Sequence, residues 1–289
     1  MRGYLSNDHA RGLALAVTGI LILTPDSLLI RLITVDHWSL LFWRGLMTFI
    51  TLTLWQLFSD RQKALARIQA IGAMGFLVAM LFALNTSLFV ISIRHTAVAN
   101  TLVLLSAAPL FAAVFSSLFL REHAPLRTWI ATLIGIASIA FIMADSLGAA
   151  NLIGDGAALA VTITMAAILT LMRYMRSNNA IPIVALSGLL LALAMLLPSQ
   201  PLSLSGSDWF YMGVLGLVVI PVSFALTLAA PKYLPAPEVG LIFLLETVLG
   251  PFLVWLVLGE EPPVATLIGG VVLVTTLVAH ASLSLRKGL

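Results

Sequence analysis

Gly12-Leu13-Ala14-Leu15-Ala16-Val17-Thr18 opens the first long apolar run of the chain, and Gly156-Ala157-Ala158-Leu159-Ala160-Val161-Thr162 opens another half a chain later with nearly the same residues. Two further pairs keep that order. Ala131-Thr132-Leu133-Ile134-Gly135 returns as Ala265-Thr266-Leu267-Ile268-Gly269, and Leu120-Arg121-Glu122 returns as Leu258-Gly259-Glu260. Each match is short, and apolar helices draw on a small alphabet. Three in the same order indicate an internal duplication. Aligning the ends sets Pro109 against Thr247, with a few loop residues deleted.

Composition says where such apolar runs lie. Of 289 residues, 61% are hydrophobic and 9% charged, against roughly 25% charged in an average soluble domain. The mean hydropathy is +1.09. Too few polar side chains exist to cover a water-exposed surface, so the exterior must face lipid. A pI of about 9.6 would suggest nucleic acid in a soluble protein. Here the basic residues sit in short loops between apolar runs, so no nucleic-acid partner is expected. There is no cysteine, which excludes disulfides and thiolate metal sites. The polar segment Met1–Arg11 precedes about twenty apolar residues with no early small-residue cleavage site, so the run reads as a retained first span rather than a signal peptide.

A helix crossing ~30 Å of hydrocarbon needs about 20 apolar residues. That window predicts ten spans: Gly12–Ile33, Trp38–Phe58, Ala70–Ile93, Ala97–Phe119, Thr128–Ala144, Gly154–Arg173, Ile181–Leu197, Trp209–Ala230, Ala236–Leu258 and Val264–Leu285. With both termini inside, twelve Lys and Arg fall in inner segments and only Arg31 and Arg94 in outer ones, a strong positive-inside bias. Asp145, Asp155, Asp208 and Glu260-Glu261 then fall outside and carry little topological weight. The fold expected is all-α and integral to the membrane, two five-helix repeats over residues 1–144 and 145–289. An odd number of spans inserts the second copy upside down. Inverted halves of this kind let many transporters form two related conformations, each open to one side.

Three features resemble the EamA-type ten-span permeases of the drug/metabolite transporter superfamily. One is a helix ending in Leu-x-Glu thirteen residues after a mid-helix proline, Pro109 to Glu122. Another is its second copy, Leu244-Leu245-Glu246 followed by Leu258-Gly259-Glu260-Glu261. The last is the small-residue tenth span, with Leu267-Ile268-Gly269-Gly270. The resemblance covers nearly the whole chain. The second copy departs from it, with Thr247 where the family often has proline and Pro251 further on. The resemblance implies secondary transport, frequently export, of amino acids, drugs or other metabolites. A narrower similarity is to bacterial aromatic amino acid exporters.

Ionisable groups inside spans are costly, about 2.5–3.5 kcal/mol on insertion scales, and three stand out: Asp26, Arg44 and Glu246. Asp26 and Arg44 each lie about 10 Å deep from the outer ends of consecutive spans, at about 1.5 Å per residue, so they are placed to meet. A gate or a zwitterion site is one reading; a structural ion pair with a snorkelling arginine is the other. Pro25, just before Asp26, loosens the helix there. Glu246 sits mid-span, placed to bind a substrate amine or a coupling proton, or to hydrogen-bond a neighbouring helix. Its repeat-mate is Ala108, and that of Asp26 is Thr170. Arg44, Thr48, Thr51 and Trp55 form one polar stripe, and Phe82, Asn85 and Phe89 another. Trp43, Phe82, Phe89, Phe111, Phe224 and Phe243 are candidate cavity aromatics, with plain core or lipid contact as the commoner role. Ser106, Thr164, Ser223 and Thr227 are cavity hydroxyls or bond only their own helix.

No Gly-x-x-x-x-Gly-Lys loop, His-Glu-x-x-His pair or Gly-x-Ser-x-Gly elbow occurs, so no ATPase, metal centre, hydrolase or cofactor is expected. The function expected is secondary transport of a small organic solute, an amino acid, aromatic ones included, being favoured. Transport would proceed by alternating access between the repeats, outward across a bacterial inner membrane, by a protein complete as a monomer. A broad drug exporter and a lipid-modifying membrane enzyme are the rivals.

Overall fold

The computed structural model describes residues 2–59, 69–119, 126–145, 152–175, 180–230, 233 and 236–286. The Arg121-Glu122 end of the first Leu-x-Glu motif, the loop residues Arg61, Lys63, Arg67, Arg176 and Lys232, and the Pro231-Lys232 junction lie outside them. Among the described residues the regular structure is helical throughout. Six apolar helices are long enough to span a bilayer and four shorter ones complete ten.

The first span consists of Arg2–Leu23 and Asp26–Leu32. It begins ten residues before the expected Gly12, because the polar segment ahead of the apolar run is helical as well. The second and third spans are His37–Ser59 and Gly72–His95. Val98–Leu105 and Ala108–Phe119 make the fourth, and Leu126–Asp145 the fifth. The sixth and seventh are Leu152–Met175 and Ala180–Met195. Ser207–Gly213, a π-helical stretch Val214–Val219 and Ile220–Ala229 form the eighth. Ala236–Leu258 and Val264–Arg286 are the ninth and tenth.

Local chemistry sets the breaks. Pro25 has no N–H to continue the first span, and just before it the Ile20 carbonyl accepts both the amide and the hydroxyl of Thr24, each at 2.9 Å. Pro109 breaks the fourth span at Ser106 and Ala107, where the Ser106 hydroxyl donates to the Val103 carbonyl at 2.7 Å. The second span starts at Asp36, whose Oδ2 accepts the amides of Trp38 and Ser39, both at 3.0 Å, an N-cap. Burial acts to raise the Asp36 pKa, but the hydrogen bonds from Ser39 and Trp38 and the nearby His37 outweigh it, and it lies below the usual 3.8. Gly259, with φ +69°, ends the ninth span, a left-handed backbone that glycine adopts without strain.

Helix neighbours reveal the internal symmetry. The second span packs on the seventh, the fifth on the tenth, the third on the sixth as the first on the eighth, and the fourth on the sixth as the first on the ninth. Exchanging each span with its counterpart five places on leaves this pattern unchanged. The axis passes where the second and seventh spans cross. A Cβ on Gly45 would lie 2.6 Å from the Gly188 carbonyl oxygen, and one on Gly188 would lie 2.7 Å from that of Gly45. Two matched glycines thus let equivalent backbones touch.

The core contains Ile20, Ile30, Leu40, Ile93 and Leu215. Large apolar side chains such as Leu133, Ile153, Phe252, Leu256 and Val271 point outward, as a surface bathed in lipid tails requires.

Candidate functional site

The break at Pro25 starts a short helix whose first residue is Asp26, and Arg44 sits two turns into the next span. The two side chains meet in a fork: Arg44 Nη1 to Asp26 Oδ1 at 2.5 Å and Nη2 to Oδ2 at 2.8 Å. Asp26 is 3% exposed and Arg44 6%, so the arginine is not snorkelling. A bidentate pair satisfies both charges in a dry setting, where removing either partner strands the other.

Glu246, on the ninth span and in the other repeat, lies within electrostatic reach of both. The residue as a whole is half-buried, and no described residue hydrogen-bonds its carboxyl group. Two hydroxyls around the pair are also unspent. Ser27 Oγ and Thr48 Oγ1 are buried without a partner. Ser27 follows Asp26 and faces the ninth span, 3.6 Å from where a Cβ on Gly250 would stand. Thr48 is one turn from Arg44. Buried polar groups ordinarily have partners. Ser27, Thr48 and Glu246 therefore add unfilled hydrogen-bonding capacity, and one further carboxyl group, to a neutral ion pair. Sequence reading placed Thr48 in a polar stripe and passed over Ser27, a small residue with no spacing signal of its own.

The other candidates take different positions. Asn85 is buried and donates from Nδ2 to the Val161 carbonyl at 2.9 Å and to Thr164 Oγ1 at 2.8 Å, tying the third span to the sixth. Phe82 meets Phe224 edge to face, centroids 6.0 Å apart. Trp43 donates from Nε1 to the Pro201 carbonyl at 2.9 Å and stacks edge-on against Trp209, pinning the loop before the eighth span. Phe243, one turn from Glu246, packs against the main core. The Ser106, Thr164, Ser223 and Thr227 hydroxyls bond carbonyls of their own spans. The second span buries the four-residue row Arg44, Thr48, Leu52 and Gln56, whereas Trp55 is 46% exposed and leaves the expected stripe.

A second polar layer closes the face opposite the termini. Asp208 accepts the Thr34 amide and hydroxyl, each at 2.8 Å. Glu260 pairs with Arg31 at 3.1 Å and accepts the Val98 amide at 2.8 Å. Arg31 also donates to the Thr96 carbonyl, and Arg94 donates to those of Ile33 and Val35. The Ser39 hydroxyl and the Gln200 backbone bond each other. Asp155 accepts the Thr96 hydroxyl at 2.5 Å. Most of these bonds join one repeat to the other. Asp155 and Asp208, expected outside and given little weight, are 0% and 3% exposed. Their burial comes from the other repeat, through Thr96 and Thr34.

Comparison with known proteins follows this geometry. The sequence model of the EamA-like transporter family matches twice, over residues 10–144 and 152–279. No curated protein matches the sequence. A solved chain described only as a crystal structure of a protein superposes with a TM-score of 0.66 at 18% identity, covering 96% of this chain and 98% of that one. At that identity the likeness shows a shared fold.

Proposed function

We propose that this chain, which belongs to the EamA-like transporter family, exports small organic metabolites, amino acids including aromatic ones foremost, by alternating access between its two repeats. The family makes it a membrane transporter of small molecules. The cargo, direction and mechanism are our reading, and so are its placement as a monomer in a bacterial inner membrane and the assignment of both termini to the cytoplasm.

One observation carries the reading. The Asp26–Arg44 fork and the unpaired Glu246 come from different repeats and stand together inside the bundle with two unspent hydroxyls. A cargo ammonium would sit on Glu246, and its carboxylate would take hydrogen bonds from Ser27 and Thr48 or share the Arg44 fork. Phe243, one turn from Glu246, offers an apolar neighbour for a side chain. The polar layer opposite the termini is the closed gate of this conformation, and opening requires its cross-repeat bonds to exchange for water. Inverted repeats permit that exchange because the second conformation reuses the first one's packing with the halves swapped.

A second reading, broad efflux of lipophilic cations, is favoured by the commitment of Arg44 to Asp26, which leaves Glu246 as the one uncommitted ionisable group beside the fork. Purified protein in liposomes separates the two. Saturable uptake of labelled phenylalanine, competed by a narrow set of amino acids and lost in Glu246→Gln, supports amino acid transport. Competition by lipophilic cations but not by amino acids supports the second reading. No flux with either class would overturn both, and turnover of lipid without flux would place the chain among membrane enzymes.

A further inference from the structure

We propose that a divalent transition-metal ion of the Zn²⁺, Cu²⁺ and Ni²⁺ class binds on the face opposite the termini, between His37 and His95, and joins the second span to the third. The site depends on neither the cargo nor the transport cycle.

Topology brings the two imidazoles together. His37 is the first residue of the second span and His95 the last of the third, so both come to the same face. Arg94, next to His95, donates from Nη2 to the Ile33 carbonyl at 2.7 Å and to the Val35 carbonyl at 3.2 Å. That clamp holds the chain just before His37 against the end of the third span. The ring centroids lie 6.4 Å apart with planes crossed at 75°, so the rings are not stacked on each other. His95 is exposed and His37 half-buried, which leaves both open to ions from water.

Each ring has a nitrogen to offer. His95 Nδ1 donates to the Ile91 carbonyl at 2.8 Å. A carbonyl only accepts, so Nδ1 carries the proton and the Nε2 lone pair is left free. A backbone carbonyl on the other nitrogen is a usual partner of a metal-bound imidazole. No described residue hydrogen-bonds the His37 ring, which rests against Trp38 with centroids 4.3 Å apart. Zinc binds imidazole nitrogen at about 2.0–2.1 Å, which sets two rings on one tetrahedral ion roughly 5 Å apart, centre to centre. The observed 6.4 Å closes to that by a shift of roughly 1 Å in side chains at the surface. Among the described residues no set of three His, Asp or Glu side chains is placed to hold a metal, so water completes the coordination. Charge on this face favours a cation, because Asp36, Asp155, Asp208 and Glu260 outnumber Arg31 and Arg94. Asp36 attracts at His37 and Arg94 repels there, so two protein ligands beside an arginine set a modest affinity. Imidazole suits Zn²⁺, Cu²⁺ and Ni²⁺, whereas Mg²⁺ and Ca²⁺ require oxygen.

The chain has no cysteine to compete for the ion. Purified in detergent with a histidine-free tag, it is titrated with Zn²⁺ against a chromophoric chelator. One ion per chain should bind most tightly, with affinity falling at least tenfold in His37→Ala and in His95→Ala. The double variant should lose little more, because one imidazole no longer chelates. Electron paramagnetic resonance of bound Cu²⁺ should show two imidazole nitrogens in the wild type and not in either variant. Zn²⁺ should raise the melting temperature of the wild type by mass action, and Mg²⁺ should not. If His95→Ala does not fold, His95→Gln carries the test, since its amide keeps a donor for the Ile91 carbonyl. Wild-type affinity in either variant, a stoichiometry halved in each as for two separate ions, or an equal response to Mg²⁺ would each overturn the assignment. The other three histidines are the same in every variant, so their own binding cancels in the comparison.

Discussion

The two repeats share a path through the membrane but not a mechanical character. In the first repeat, proline breaks two spans, at Thr24-Pro25 and before Pro109. In the second, the counterparts run unbroken: the sixth as Leu152–Met175 and the ninth as Ala236–Leu258, straight through Pro251. The polar chemistry divides along the same line. The broken repeat holds a self-neutralised ion pair, and the continuous one offers a lone carboxylate from an intact helix. Duplication supplied the scaffold, and a few substitutions, Thr170 against Asp26 and Ala108 against Glu246, made the halves chemically distinct.

That contrast can be broken by substitution. The largest effect is expected for Arg44→Ala, which strands a buried Asp26 and should cost about 3–5 kcal/mol of stability. The double variant Asp26→Asn, Arg44→Met should regain most of it. Thermal unfolding in detergent reads both, and wild-type stability in Arg44→Ala would mean the fork holds nothing together. Next is the transfer of the first repeat's break to the second. Thr247→Pro should cost about 3 kcal/mol or more because the ninth span has packed as a continuous helix; helical content and melting temperature check it. At the two-fold crossing, Gly45→Ala drives a Cβ into the Gly188 backbone and should cost about 1–3 kcal/mol. Gly213→Ala, with open space around it, should be neutral or stabilising by up to about 1 kcal/mol. Equal melting temperatures for these two would contradict the crossing geometry. The smallest effect belongs to the Asp36 cap, worth about 1 kcal/mol. Its folded pKa lies below 3.8, so its contribution is present above that value and lost as pH falls through the folded one. The stability gap between wild type and Asp36→Ala should therefore close in acid.

The spans and the repeat were legible because the bilayer imposes a length and an apolar composition on each helix, and the ninth span falls on its expected residues. The meeting of Asp26 and Arg44 followed from equal depth on consecutive spans joined by a short loop. The breaks were only half legible: Pro25 was read as a weak point, whereas Pro109 was read as a family mark. Ser27, Asp155 and Asp208 were not legible as buried groups. Their setting depends on which helix of the other repeat comes to lie beside them, and no local periodicity encodes that. Trp43 and Asn85 went to inter-helix ties, where they join elements far apart in sequence.

The central claim is that the two halves part and rejoin at the face opposite the termini during each cycle. Thr34 and Asp208 bond each other there across the repeats, in a chain free of other thiols. The variant Thr34→Cys, Asp208→Cys should transport when reduced, lose flux when its two thiols are oxidised to a disulfide, and recover on reduction. Undiminished flux through the cross-linked protein would contradict the account.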